Sequence, residues 1–361
     1  MDKFNKFCGC LIGGAVGDAL GYAVEFMSES EIFAKYGADG ISEYELNGGK
    51  ARISDDTQMT MFTATALLDG ITRGRERGIM GSFESYIAAE YKGWYLTQTR
   101  KFPMDISENY AQYSWIMNFP EMFARRAPGN TCLSALESGT PVADSKGCGG
   151  IMRVAPIGLY FSNGNYPQMK QSEIDLLGAH TASITHGHPL GYIPAAALVH
   201  IISLLAKSDN ISVLDALADS VVRMRKLFGD SEHVERFHRL MEKASALALS
   251  STSDLDAIHH LGEGWVAEET LAIAAFCAIR HENDFEGAIR AAVNHNGDSD
   301  STGAVCGNIL GARLGYGKIS RKFTENLEFH DVLLELADDL LSDYQDDPVW
   351  DKKYVLRTYH Q

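Results

Sequence analysis

Two short acidic runs stand far apart in the chain and are built alike. Ser54-Asp55-Asp56-Thr57 opens the apolar-periodic run QMTMFTATALLDGI. Gly297-Asp298-Ser299-Asp300-Ser301-Thr302 opens a second run, striped with glycine. Either could be a helix start, because Ser or Asp caps the first free N–H groups and acidic residues favour the positive end of a helix. Carboxylates held close together also repel unless a cation lies between them. Each run is therefore a candidate ligand set for a hard, oxygen-preferring cation such as Mg²⁺ or Mn²⁺. In the second run, residues two apart point to one side only where the backbone is extended. Convergence of Asp298 and Asp300 thus requires an extended turn, with the Ser301 hydroxyl as a third oxygen. The run lacks the length and pattern of an EF-hand loop.

Three other places carry reactive residue types. GDALGYAVEF holds Asp18 and Glu25 seven residues apart, on one face if its helix continues. A carboxylate at the end of a glycine-lined helix is a candidate acid or base. In Gly147-Cys148-Gly149-Gly150 the glycines let backbone N–H groups approach a phosphate, and Arg153 could add positive charge. Cys148 has no base beside it in sequence and is not read as a nucleophile. His186 and His188 could bind metal, but no acidic or cysteine neighbour completes a zinc site, and His188 reads as structural.

The elements that must position these residues are helices. Val213, Leu214, Leu217, Val221, Met224 and Phe228 repeat at helical spacing, as do Val234, Phe237, Leu240, Met241 and Ala244. Strand-like alternation is scarce; its best candidate is Ile41 to Leu46. Gly13, Gly17 and Gly21, and Gly303, Gly307, Gly311 and Gly315, recur every fourth residue and so share a face. Glycine costs about 1 kcal/mol per site in a helix interior, so close helix packing is expected to offset it. The loops are short, and no low-complexity tract or repeat interrupts the chain.

Composition narrows the function. The 361 residues carry a formal charge of −16, which argues against a nucleic-acid or anionic-membrane partner, since both need basic surface. It leaves room for an anionic small ligand held by a local field. Cys8, Cys10, Cys132, Cys148, Cys277 and Cys306 show no CxxC pair, so reduced, buried thiols are expected. Lys3 and Lys6 before the apolar run 7–16 give a faint signal-peptide outline, broken by Gly9, Gly13, Gly14 and Asp18. No membrane span is expected, because no uninterrupted apolar stretch of about 18 residues is read. A cytoplasmic location is the expectation.

Taken in order, seven segments resemble the ADP-ribosylglycohydrolase family, which includes dinitrogenase reductase-activating glycohydrolases and ADP-ribosylarginine hydrolases. They are GCLIGGAVGDALGYAVEF, ISDDTQMT, RRAPGNT, GCGGIMRVAPIGLY, ASITHGHPLGY, GWVAEETLAIAAFCAI and NHNGDSDSTGAVCGNILGARLG, from about residue 7 to about 315. The resemblance implies an all-α, compact multi-helix fold around a central binuclear metal site. It implies two divalent cations, Mg²⁺ or Mn²⁺, held by Ser54, Asp55, Asp56, Asp298, Asp300 and Ser301. Glu25 matches the family's catalytic glutamate, and Asp105 resembles an acidic residue that arginine-specific members use near the substrate. Gly147, Cys148, Gly149, Gly150 and His186 match segments lining the ADP-ribose site, and Trp265 one near its adenosine end. Position 148 is often a small polar residue in relatives, so cysteine here is a departure.

The implied activity is hydrolysis of the N-glycosidic bond of ADP-ribosyl-arginine on a protein, with ADP-ribose as product. Alternatives within the same site are an O-linked serine, a nucleic-acid adduct or a small metabolite. A different class of reading is an immunity protein that neutralises an ADP-ribosylating toxin by hydrolysis or by binding. A site drawn from residues 25–56 and 298–301 requires both chain ends to fold together. A single domain over 1–361 is therefore expected, with 206–262 as a candidate peripheral helical insertion.

Overall fold

The computed structural model describes residues 1–105 and 113–357. Sixteen helices carry the argument. They are α1 (Lys3–Tyr22), α2 (Glu29–Tyr36), α3 (Asp55–Arg77), α4 (Phe83–Thr99), α5 (Asn130–Ser138), α6 (Ala155–Ser162), α7 (Gln171–Ser183) and α8 (Pro189–Lys207), then α9 (Val213–Phe228), α10 (Glu232–Ala248), α11 (Asp254–Leu261), α12 (Ala267–Arg280), α13 (Phe285–Val293), α14 (Ser299–Leu314), α15 (Arg321–Thr324) and α16 (His330–Ser342). The all-α expectation holds. Among the described residues the only sheet is a two-residue hairpin, with Leu46 opposite Ala51 and Asn47 opposite Lys50. The expected strand over 41–46 is therefore absent but for its last residue. The chain turns at Gly48 and Gly49, both at positive φ, which only glycine adopts freely.

The glycine stripes belong to one interface. Helix α1 crosses α14 with backbone against backbone: a Cβ at Gly17 would sit 1.9 Å from the Gly303 carbonyl oxygen, and one at Gly307 1.9 Å from that of Gly13. No side chain fits there. The contact brings the end of α1 beside the start of α14 and so joins the two ends of the chain. Asn308 adds a buried hydrogen bond from its amide to the Cys10 carbonyl at 2.8 Å.

Helix α8 corrects an expectation. It holds no Asp, Glu, Lys or Arg from Pro189 to Ala206 and is long and apolar enough to cross a membrane, yet 83% of that window is buried inside the fold. It packs against α6, α7, α9, α12 and α14. A helix apolar on all sides is what a central core position requires. Residues 206–262 form α9, α10 and α11; α9 and α10 lean on α8 and α12, and α11 on α10 and α12. One continuous apolar core runs from Phe7 to Tyr354.

Candidate functional site

Helices α3 and α14 begin at the same cavity. Ser54 is the N-cap of α3, and its hydroxyl accepts from the Asp56 amide at 3.2 Å. Asp298 is the N-cap of α14, and its carboxylate accepts from the Ser301 amide at 3.3 Å. The turn at 298–300 is not extended throughout, as the spacing argument required. Only Asp298 leaves the helical region, at ψ 77°, and Asp300 is already helical. Folding the cap side chain back over the first turn still brings Asp298 and Asp300 together, because both carboxylates reach the Ser301 amide.

The cavity holds about 470 Å³. Glu25, Asp55, Asp56, Asp298, Asp300 and Ser301 line it together with Gly147, Cys148, Gly149, His186 and Trp265. Ser54 and Gly150 lie behind this lining: Ser54 is fully buried, and Gly150 packs against the Gly191 carbonyl and Ala182. Asp105 lies exposed after α4, outside the lining. Phe26, Cys132 and Met152, not expected as site residues, also line the cavity, as do residues 127–131. Residues 127–131 fall in the RRAPGNT segment, so that motif was their available signal. Phe26 stacks on Trp265 at the rim, ring centroids 6.3 Å apart and planes 23° apart.

Glu25 does not share a helical face with Asp18, as seven-residue spacing suggested. Helix α1 stops at Tyr22, and Glu25 lies in the turn beyond it. The two carboxylates separate in role. Asp18 is fully buried beneath the start of α3, where it accepts from the Ser54 amide at 2.9 Å, the Thr57 amide at 3.0 Å and the Thr57 hydroxyl at 2.5 Å. It is an anchor for α3. Asp55 is pinned as well, its carboxylate accepting from the Gly129 amide at 3.3 Å and its own amide donating to the Arg126 carbonyl.

The electrostatics are strained by design of the donor set. Burial first, then Asp300, pushes the Glu25 carboxyl up to about 10 and Asp18 up to about 7. The same two causes hold Asp55, Asp56 and Asp298 well above the usual carboxylate range. Two buried oxygens, Glu25 Oε2 and Asp56 Oδ2, have no hydrogen-bond partner among the described residues. An unpartnered buried oxygen costs about 1–3 kcal/mol or more for charged groups, and a divalent cation would satisfy both oxygens and relieve the repulsion. Asp55, Asp56, Asp298 and Asp300 with Ser301 form the all-oxygen set that Mg²⁺ or Mn²⁺ prefers. Among the described residues no three acidic, histidine or cysteine side chains close into a ready-made coordination shell. The fit thus rests on these orphaned oxygens.

Gly149 must stay without a side chain. A Cβ at Gly149 would meet the His186 ring at 3.2 Å and Cys132 Sγ at 2.9 Å. The segment is held by Cys148 N–H donating to the Trp265 carbonyl at 3.2 Å and by the Ala267 amide donating to Lys146 at 2.9 Å. Arg153, expected to lend charge to this loop, turns away from the cavity. It is fully buried, donates to Thr185 Oγ1 at 2.6 Å and lies over the Tyr91 ring.

Residues 1–349 match the family model described as ADP-ribosylglycohydrolase. The chain belongs to the ADP-ribosylglycohydrolase family. An uncharacterized protein of Archaeoglobus fulgidus is 28% identical over 345 residues, 92% of this chain and 95% of its own. The ADP-ribosyl-[dinitrogen reductase] glycohydrolase of Rhodospirillum rubrum is 24% identical across 92% of this chain and 97% of its own. ADP-ribosylhydrolase ARH3 of Mus musculus is 24% identical across 95% and 93% respectively. A solved ADP-ribosylglycohydrolase-related protein complex shares the fold, with TM-score 0.58 and 22% identity over 95% of this chain and 99% of that one. This member of the family is thus a glycohydrolase by descent, with ADP-ribosylated compounds as its substrate class.

Proposed function

We propose that the protein hydrolyses the N-glycosidic bond between ADP-ribose and a protein arginine, reversing mono-ADP-ribosylation. In this reading Ser54, Asp55, Asp56, Asp298, Asp300 and Ser301 hold two divalent cations, Mg²⁺ or Mn²⁺. The observation that carries it is the pair of buried, unpartnered carboxylate oxygens on Glu25 and Asp56, in a cavity that Asp298 and Asp300 line from the other end of the chain. When bound, the cations would supply Lewis-acid stabilisation of ribose and water oxygens. The protein's own groups do the rest. Glu25 keeps its proton while burial and the neighbouring carboxylates act on it, so it can give a proton to the leaving group; with the cations offsetting that repulsion it could instead take one from the attacking water. The Gly147–Gly149 wall carries only the Cys148 side chain, so a pyrophosphate can approach the backbone closely despite the −16 global charge. Trp265 and Phe26 give a flat apolar rim suited to a base.

The test is release of free ADP-ribose from arginine-ADP-ribosylated protein with Mg²⁺ or Mn²⁺. A metal contribution of several kcal/mol predicts that Asp298→Ala, or a chelator, lowers turnover at least ~10²-fold. Full turnover under either condition would sink the metal-centre reading. A second reading keeps the site and changes the linkage, to an O-linked serine or another ADP-ribosyl adduct. It is favoured by Asp105, the acidic contact expected for arginine, lying outside the cavity lining. Equal-concentration assays on serine- and arginine-linked substrates separate the two.

A further inference from the structure

Cys148 places a thiol among oxygen donors. It is half-buried and lines the same cavity as Asp56, Asp298 and Ser301. The orphaned Asp56 Oδ2, on a side chain 3% exposed, lines the same cavity. The lining therefore combines one soft donor with at least three oxygen donors. Thiolate ligands select ions such as Zn²⁺ over Mg²⁺, whereas carboxylate and hydroxyl oxygens do not. Cys132 also lines the cavity, but the Arg153 guanidinium lies 3.6 Å from its Sγ and repels a cation there.

We propose that Cys148 makes this centre a mixed oxygen–sulfur site that captures a thiophilic divalent cation of the zinc and cadmium class, with Asp56, Asp298 and Ser301 as the oxygen donors. The inference rests on the metal-centre reading above. On binding, a metal–sulfur bond forms, the S–H bond breaks and the proton leaves to solvent; nothing is oxidised or reduced. A soft cation so held would compete with Mg²⁺ or Mn²⁺ for the same carboxylates.

The experiment is a Cd²⁺ titration of the metal-free full chain, followed by the ultraviolet cadmium–thiolate charge-transfer band. Mn²⁺ binding is measured in parallel by electron paramagnetic resonance. In the wild type the band should rise to saturation as Cd²⁺ displaces Mn²⁺. Cys148→Ser, which keeps a small polar side chain, should still bind Mn²⁺ but lose the band. It should also need at least ~10-fold more Cd²⁺ to displace Mn²⁺, the scale on which one lost metal-site partner acts. A band that survives in Cys148→Ser, or Cd²⁺ displacing Mn²⁺ from the wild type without a band, overturns the thiol assignment while leaving the oxygen centre standing. Failure of both proteins to bind Mn²⁺ or Cd²⁺ overturns the metal centre and this inference with it.

Discussion

His186 shows how one residue's chemistry is set by a neighbour that sequence spacing hides. Its ring is 2% exposed, its Nδ1 lies 2.8 Å from the Thr185 hydroxyl, and the same hydroxyl accepts from Arg153. Burial first, and the Arg153 guanidinium second, push the imidazole down to about 3. His186 is therefore a neutral group at the cavity wall, able to donate or accept one hydrogen bond but not to supply charge. Its Cε1–H resonance is expected not to titrate between about pH 5 and 8, the range in which an ordinary histidine changes charge. Arg153→Met, by removing the cation, should move its midpoint upward. A wild-type inflection near the usual histidine value would refute this account. The residue types at 147–153 and 185–188 were legible in the sequence as site material. The direction each side chain faces was not, because Arg153 follows the glycine loop closely in sequence yet its guanidinium lies buried over Tyr91.

At the scale of elements, the four-residue glycine spacing was readable as a packing face, but not which face met which. Periodicity reports one helix at a time, whereas the contact of α1 with α14 joins segments nearly 300 residues apart in the chain. That contact matters to the site because Glu25 follows α1 and Asp298 starts α14. Gly17→Ala would place a methyl group 1.9 Å from the Gly303 carbonyl, with rigid backbone on both sides. Overpacking of this kind costs about 1–3 kcal/mol or more, and the forced separation should lower turnover together with stability. Gly74→Ala is the control: it lies inside α3, and its nearest neighbour would be Met80 Cβ at 3.4 Å. There the substitution should be neutral or stabilise by up to about 1 kcal/mol through helix propensity alone. Chemical denaturation of the two variants checks the pair, and equal destabilisation would mean that helix distortion, not the crossing, governs both. Helix starts were legible for the same local reason that made α3 and α14 visible: a capping side chain and acidic first turn sit beside each other in sequence. The short hairpin at 46–51 was not, since two residues per strand carry no alternation.

At the scale of the whole molecule, the site depends on a residue outside every segment that carries chemistry. Glu328, 4% exposed, lies beyond the last acidic run in FTENLEFHDV, where nothing in the sequence marks it. Its carboxylate accepts from Arg52 at 2.5 Å, from Arg126 at 3.0 Å and from the Ile53 amide at 3.2 Å. Arg126 in turn donates to the Ile53 carbonyl, and the Arg126 carbonyl accepts from the Asp55 amide. One carboxylate from the C-terminal region thus fixes both the entry to α3 and the start of the 127–131 wall. Removing it leaves two guanidinium groups in a partly buried setting without their partner. Loss of one member of such a network costs about 3 kcal/mol, somewhat less here because Arg52 keeps contact with water. Glu328→Ala should therefore unfold at clearly lower denaturant. If its hold on Ser54–Asp56 matters to the centre, Mn²⁺ affinity should fall by about 10–100-fold, as when a metal ligand loses its outer support. Glu328→Gln keeps an acceptor for the Ile53 amide and should recover part of both losses. Glu286→Ala, which breaks the exposed pair with Lys322, should stay within about 0.5 kcal/mol of wild type. Unchanged Mn²⁺ affinity in a destabilised Glu328→Ala would confine this carboxylate to holding the fold, and would leave the support of Asp55 and Asp56 to Asp18, Ser54, Gly129 and the Arg126 carbonyl.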